Sequence, residues 1–515
     1  MRELPRAVDP VADVLARIGR KGVKLWVVNG QLHYRAVKGS LTDEEREIIR
    51  CHKDQIVSML ERTASVAFVE PNASSPSHPE PAALSLSQEA HWRRYKLQSH
   101  NVFRTVASAT RIVGRVDLDR FRDSIKLVVR RHPGLRTRII VRDDTPMQEI
   151  SESIDFKFEL HDLTTLPPMN HEFEVKRLIE ELILKPIKAS EGPLWEARLL
   201  RLRNDEHVLV VVMEHIISDM RSLQILLRDV FSIYAQISQG HSVSLPVIPM
   251  QFVEYAEWQH RSFTNGRSSY WTNHLSQCQR VKFPDDHDLL TNLHRGWSHI
   301  HITITSQRRQ SLSIWSRSRK TTISMAVLTA YAALVTRWCN VSDVVINYVI
   351  DGRTSDKVRD TIGYFAKLLP IRVELHRTDN FVSLLKRVTT EYYKSYEQSG
   401  SYDLDAQIPV PEFASNSQFN WITQDNESPA DQNLTEAGLR CLPMSFEPPI
   451  PETVEMDVEP FILLSDSGRE VSGGIYFPRN RFSLAKMQKF ASNFSGFIEA
   501  LAEKSEEPVY EIPLS

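Results

Sequence analysis

The chain has 515 residues, 41% hydrophobic and 25% charged, with a formal net charge of −2. That length holds more than one domain, and the near-neutral charge gives no general attraction to nucleic acid or to a membrane surface. No apolar run approaches the roughly 20 residues of a bilayer-spanning helix, and the opening MRELPRAVDP lacks the apolar core of a signal peptide, so a cytoplasmic location is expected. The first predicted elements are helices over 5–18 and 42–60, the second beginning with a T-x-x-E capping box at Thr42 and Glu45. Between them, VKLWVVNGQLHYRA (23–36) places Asn29-Gly30 between two alternating runs, the signal of a two-residue type I′ hairpin. Pairing across it sets Val27 opposite Leu32, Leu25 opposite Tyr34 and Val23 opposite Ala36 on an apolar face. The other face pairs Val28 with Gln31, Trp26 with His33 and Lys24 with Arg35. Like charges directly opposite repel, so this face reads as one awaiting an anion. From Asp13 to Asp43 six basic residues intervene (Arg17, Arg20, Lys21, Lys24, Arg35 and Lys38) and no acidic one.

Residues 63–83, TASVAFVEPNASSPSHPEPAA, are rich in Ala, Ser and Pro and read as a semi-rigid linker. It separates a small unit, 1–62, from a long mixed α/β region, 84–515. Strand-like runs at 196–202, 208–213 and 344–349 alternate there with helical periodicity at 118–129, 223–237 and 323–338. Roughly 430 residues exceed one core, so two lobes are expected, 84–260 and 261–515, dividing after the segment SLPVIPM. Cys51, Cys278, Cys339 and Cys441 are spaced for neither a zinc site nor a disulfide framework. No phosphate-binding glycine loop or dinucleotide fingerprint occurs, so no metal or bound cofactor is expected.

The stretch VLVVVMEHIISDMRSL (208–223) carries the most pointed pattern. Val208 to Met213 read as a strand covered on both faces. Leu223, Leu226, Leu227, Val230 and Tyr234 then recur at helical spacing, with Asp219 at the N-cap. Glu214 to Ser218 therefore form a strand-to-helix turn, the place where open sheets present functional groups. A bare His-x-x-x-Asp arises about once by chance among 18 histidines, and its plain alternative is a satisfied core histidine beside a helix cap.

Other stretches change that weight: LSLSQEAHW (84–92), RRHPGLRTR (130–138), EGPLWEARLLRL (191–202), SDVVINYVIDGR (342–353), IGYFAKLLPIRV (362–373), FNW (419–421) and SGGIYFPRNRFSLAKMQKFASNF (472–494). In order and spacing they resemble the condensation-domain family of nonribosomal peptide synthetases. The resemblance implies an α/β fold of two chloramphenicol-acetyltransferase-like lobes in a V, with the site in a tunnel between them. It implies acyl transfer from a thioester on a carrier protein's phosphopantetheine arm to an amine or alcohol, with no metal and no covalent enzyme intermediate. By position the family's catalytic histidine falls on His215, its structural aspartate on Asp219 and the arginine that pairs with it on Arg353; Ser218 and Asn420 fall at site-shaping positions. An imidazole with a pKa near 6.5 can take a proton at neutral pH.

Three departures stand out. Glu214 replaces the family's first histidine, Met220 replaces the glycine after the aspartate, and YEQSGSYDLD (396–405) stands where a His-x-Asp-x-Pro-Phe segment is usual. A carboxylate beside an imidazole favours the imidazolium, and methionine adds bulk. An active enzyme with an unusual substrate is the preferred reading; a non-catalytic platform and an epimerising relative are the alternatives. The small unit resembles the β-hairpin docking domain named for the tubulysin synthetases. That implies capture of a short C-terminal motif on an upstream carrier subunit by strand addition, with Lys24, Trp26, His33, Arg35 and Lys38 as docking residues. No adenylation or carrier domain follows, so a free-standing condensation enzyme, akin to chain-release members, is expected.

Overall fold

The computed structural model describes residues 24–28, 31–35, 50, 53, 80–97, 105–153, 155–263, 269–276, 278, 281–286, 296–399, 417–423, 434–435, 437–444 and 459–514. In the small unit, β1 (Lys24–Val28) and β2 (Gln31–Arg35) pair antiparallel in the expected register. Val27 faces Leu32, Leu25 faces Tyr34, Trp26 faces His33 and Lys24 faces Arg35. Val23, Ala36, Lys38, the first flanking helix and most of the second lie outside the described residues.

The long region begins with β3 (Ala82–Ala83), α1 (Leu86–Leu97), β4 (Thr105–Val113), α2 (Leu118–Arg131), β5 (Thr137–Arg142), β6 (Thr145–Ile150) and β7 (Lys157–Asp162). It continues through α3 (His171–Leu184), β8 (Trp195–Arg203), β9 (Glu206–Glu214), α4 (Met220–Ser238) and α5 (Phe252–Phe263). Then follow α6 (Ser269–Leu275), β10 (Trp297–Ile304), α7 (Ser306–Ser318), α8 (Ile323–Trp338), β11 (Asp343–Ile350), β12 (Lys367–Glu374) and α9 (Phe381–Glu397). The last elements are β13 (Gln418–Thr423), β14 (Arg440–Met444), β15 (Phe461–Asp466), β16 (Val471–Pro478) and α10 (Leu484–Glu503). Among the described residues, no helix is long and apolar enough to cross a membrane.

Two sheets organise this region. The first has the order β14-β4-β9-β8-β7, antiparallel except for the β7–β8 pair. Its middle strand, β9, is covered on both faces as its unbroken apolar run predicts. Leu209, Val211 and Met213 join α2 (Phe121, Ile125, Val128) and α4 (Leu223, Leu226, Val230) in one core. Val208, Val210 and Val212 join Val175, Leu178 and Leu182 of α3 in another. A small sheet, β3-β6-β5, accompanies them. The second large sheet has the order β10-β16-β15-β13-β11-β12, with β13 parallel to both β11 and β15. Helix α8 is buried at every position from Met325 to Thr336. That suits a sequence apolar all round rather than on one stripe.

Two segments cross a division placed at one point in the chain. Strand β14 pairs with β4, Arg440 facing Val113 and Met444 facing Ala109, and so extends the first sheet although it lies between two strands of the second. Ile362, 1% exposed, is buried in the core of the first lobe beside Leu434 and Leu439.

Candidate active site

At the end of β9 the chain makes one 3-10 turn, His215–Ile217, before α4. Ser218 closes it: its hydroxyl donates to the Glu214 carbonyl at 2.8 Å and its N–H to the His215 carbonyl at 3.2 Å. The Ser218 carbonyl in turn lies 2.8 Å from His215 Nδ1. A carbonyl only accepts, so Nδ1 carries the proton and the lone pair of the neutral ring sits on Nε2. Local sequence thus fixes both where the imidazole stands and which nitrogen can act as a base.

Asp219 is the N-cap of α4, as its place before the helical periodicity predicts, and accepts from Ser222 N at 2.8 Å. It does much more than cap. Arg353 Nη1 donates to Oδ2 at 2.9 Å and Nη2 to Oδ1 at 3.0 Å, a two-pronged ion pair. Phe365 N and Ala366 N donate to Oδ2 at 3.0 and 3.2 Å. The paired side chains of Arg353 and Asp219 are 2% and 3% exposed. Burial alone would raise the carboxyl's pKa, but the charge and hydrogen bonds of Arg353, with those of Ser222, hold it below its ordinary value. Burial likewise opposes the charge on Arg353, and Asp219 with Asp351 keeps its pKa raised. The guanidinium also lies over the Phe365 ring, 4.3 Å from its centroid. Gly363 must be glycine: a Cβ there would sit 2.0 Å from Phe252.

The opening motif braces the same turn. Ser85 and Gln88 form a reciprocal cap at the start of α1, Ser85 N donating to Gln88 Oε1 at 2.9 Å and Gln88 N to Ser85 Oγ at 3.2 Å. Gln88 Nε2 then reaches the carbonyl of Ile216 at 2.9 Å. One turn further along, His91 has its ring centroid 6.0 Å from that of His215. Tyr364 stands edge-on to His215 at 4.8 Å and to His91 at 5.5 Å. The sequence marks both stretches as motifs but singles out none of Gln88, His91 and Tyr364; the S-x-x-Q spacing was the available signal for the first.

The other candidate positions fall in several places. Glu214 is 2% exposed, and its main chain serves the turn, N–H to the Leu194 carbonyl at 2.8 Å and carbonyl to Ser218. Ser218 is buried, so it shapes the site through its carbonyl rather than by offering a hydroxyl. Met220 opens α4 and packs against the core of the first lobe. Asn420 lies on β13 opposite Leu463, a strand of the second sheet and not among the groups that surround His215 above. Of YEQSGSYDLD, residues 396–399 finish α9 and its turn, and the rest lie outside the described residues. The RRHPGLRTR stretch is structural: His132 Nε2 meets Asp229 Oδ2 at 2.9 Å, and Arg131 and Arg228 pair with the same carboxylate. Burial pushes the His132 pKa down.

The family model of the condensation domain matches residues 80–515. The chain belongs to the condensation-domain family. A second model, the TubC N-terminal docking domain, matches residues 11–62. The condensation domain is similar to a linear gramicidin synthase of Brevibacillus parabrevis, 29% identical over 326 residues that make up 62% of this chain and 6% of that one. To phosphinothricin tripeptide synthetase PhsC of Streptomyces viridochromogenes it is 28% identical over 335 residues, 64% of this chain and 31% of the relative. The chain thus spans well under half the length of these curated relatives. Among solved structures, the SgcC5 protein of Streptomyces globisporus matches with a TM-score of 0.70 at 21% identity, over 83% of this chain and 100% of that one. The first condensation domain of the calcium-dependent antibiotic synthetase gives 0.69 at 16%, over 85% and 99%. These likenesses establish the two-lobed condensation-domain fold. The family's general chemistry is acyltransferase-type amide formation with carrier-bound phosphopantetheine as substrate.

Proposed function

We propose that this condensation domain transfers an acyl or peptidyl chain from the phosphopantetheine thioester of a carrier on another subunit to an amine or alcohol acceptor. The docking unit recruits that subunit through its C-terminal linear motif. The observation that supports this most is the pinned imidazole of His215, with Nδ1 donating to Ser218 and the lone pair left on Nε2.

The acceptor's N–H or O–H hydrogen bonds to Nε2. As its lone pair forms the new bond to the thioester carbonyl carbon, the C–S bond breaks and the acceptor's proton passes to Nε2. The imidazolium gives that proton to the departing pantetheine thiolate, so the ring ends neutral. The Ser218 carbonyl dipole favours the transient positive charge. Beyond this, the protein has only to hold two reactants together.

The test is intact mass spectrometry of an acyl-loaded carrier bearing the upstream subunit's C-terminal peptide, incubated with the protein and a panel of amine and alcohol acceptors. Wild type should discharge the carrier with a matching gain of mass on the acceptor, and His215→Ala should lose roughly 10²–10⁴-fold of the rate with its thermal unfolding unchanged. His215→Ala at wild-type speed would sink the catalytic assignment. Carrier binding with no transfer by the wild type would favour the platform reading.

A further inference from the structure

We infer that Tyr364 and His91 are positioning residues that clamp the His215 imidazole, and that the buried Asp219–Arg353 pair serves the site by aiming Tyr364. This rests on the reading of His215 as the proton acceptor. The hydrogen bond at Nδ1 fixes one ring atom and by itself leaves the imidazole able to rock about the Nδ1···O line. Two further rings, in contact with one another, abut the imidazole on one flank and restrict that motion. Tyr364 stands edge-on at 4.8 Å with an interplanar angle of 61°, and His91 lies at 6.0 Å. The two clamping rings also brace one another, at 5.5 Å and 73°. Edge-to-face pairs at such separations are favourable and directional.

The three rings come from three places in the chain, and each is held by its own backbone. His91 rides on α1, tied to the turn by the Gln88–Ile216 hydrogen bond. Around Tyr364 almost every neighbour is fixed. Ile362 is buried in the core of the first lobe, and Gly363 N donates to Ser222 Oγ at 3.0 Å. Phe365 N and Ala366 N are held by the Asp219 carboxylate. Tyr364 is the half-buried residue between buried Gly363 and buried Phe365. The backbone that follows it is held by the carboxylate four residues after His215.

The test reads the imidazole directly. The rate of carbethoxylation at His215 by diethyl pyrocarbonate, followed by peptide mass spectrometry, is compared in wild type, Tyr364→Ala, Tyr364→Leu, Tyr364→Phe and His91→Ala. The loaded-carrier assay is run on the same samples, and thermal unfolding confirms that each is folded. Removing the ring should raise His215 labelling several-fold in Tyr364→Ala and Tyr364→Leu, and Tyr364→Phe should restore the wild-type rate. Transfer should fall on the order of 10- to 100-fold in kcat with the donor KM within about twofold, since a small misplacement of a reacting group is that costly. Unchanged His215 labelling in Tyr364→Ala and Tyr364→Leu overturns the clamp whatever the transfer assay gives. Raised labelling with wild-type transfer overturns the positioning role. Failure of the reading of His215 is seen separately, as full transfer by His215→Ala.

Discussion

Asp219 accepts from two guanidinium nitrogens and three backbone N–H groups, and a carboxylate so deeply buried persists only where its partners are complete. Asp219→Ala should leave the buried Arg353 guanidinium with the more exposed Asp351 as its remaining carboxylate partner and cost up to about 3–5 kcal/mol, measured by urea unfolding. A double replacement, Asp219→Leu with Arg353→Met, should recover much of that loss. The pH dependence follows from the direction of the shift. With its folded pKa held below the unfolded one, the Asp219 contribution is complete above about 3.9. It is lost as pH falls from there through the lower folded value. An acid unfolding limb that starts at the same pH in Asp219→Asn and wild type would refute this. The departures at Glu214 and Met220 make a second prediction. Glu214→His with Met220→Gly should change acceptor preference without abolishing transfer, and identical acceptor profiles would show that neither position adapts the site. His215, Asp219 and Arg353 were legible because they recur in motifs of fixed order. His91 and Tyr364 were not, because their meeting with His215 depends on folding distant segments together and no spacing encodes that.

The turn that carries His215 is a short element made stable by others. Its hydrogen bonds come from Ser218 within it and from Gln88 on α1. Gln88→Leu should remove the donor to the Ile216 carbonyl and the acceptor for Ser85 N, costing about 1–3 kcal/mol for buried groups left unsatisfied. It should also slow transfer, which Gln88→Glu would not fully restore because a carboxylate cannot donate to a carbonyl. Equal melting temperatures and equal rates for wild type and Gln88→Leu would show that the brace is idle. At this scale the sequence reads well wherever an element is defined by its own pattern. Val208 to Met213 form the buried strand, residues 323–338 form α8, and β1 and β2 pair in the register expected from the hairpin signal. It reads poorly where an element is defined by its partner. RCLPM is five residues with a proline, and its pairing with a strand more than three hundred residues earlier leaves no periodic trace.

Across the whole molecule, charge on the hairpin is the expected means of recruitment. Lys24 and Arg35 face one another in the β1–β2 ladder, in a stretch without acids. Lys24→Glu with Arg35→Glu should weaken binding of an acidic carrier peptide and slow its association more than it speeds dissociation. Wild-type binding should weaken with salt, since screening lengths are about 8 Å at physiological ionic strength. Calorimetry at two salt concentrations decides it, and equal affinities in all four measurements would move the docking surface elsewhere. Transfer from excess untethered carrier should survive the reversal. The returning strand β14 sets a different constraint, on how such domains can be recombined. A chain cut between residues 263 and 269 yields a first fragment whose β4 edge is bare, an open ladder prone to pairing with strangers, while the strand that seals it belongs to the other fragment. The lobes are therefore not interchangeable cassettes. A chimera that imports the second half of a relative also imports one strand of the first half's sheet, and it will assemble only if that borrowed strand fits its host.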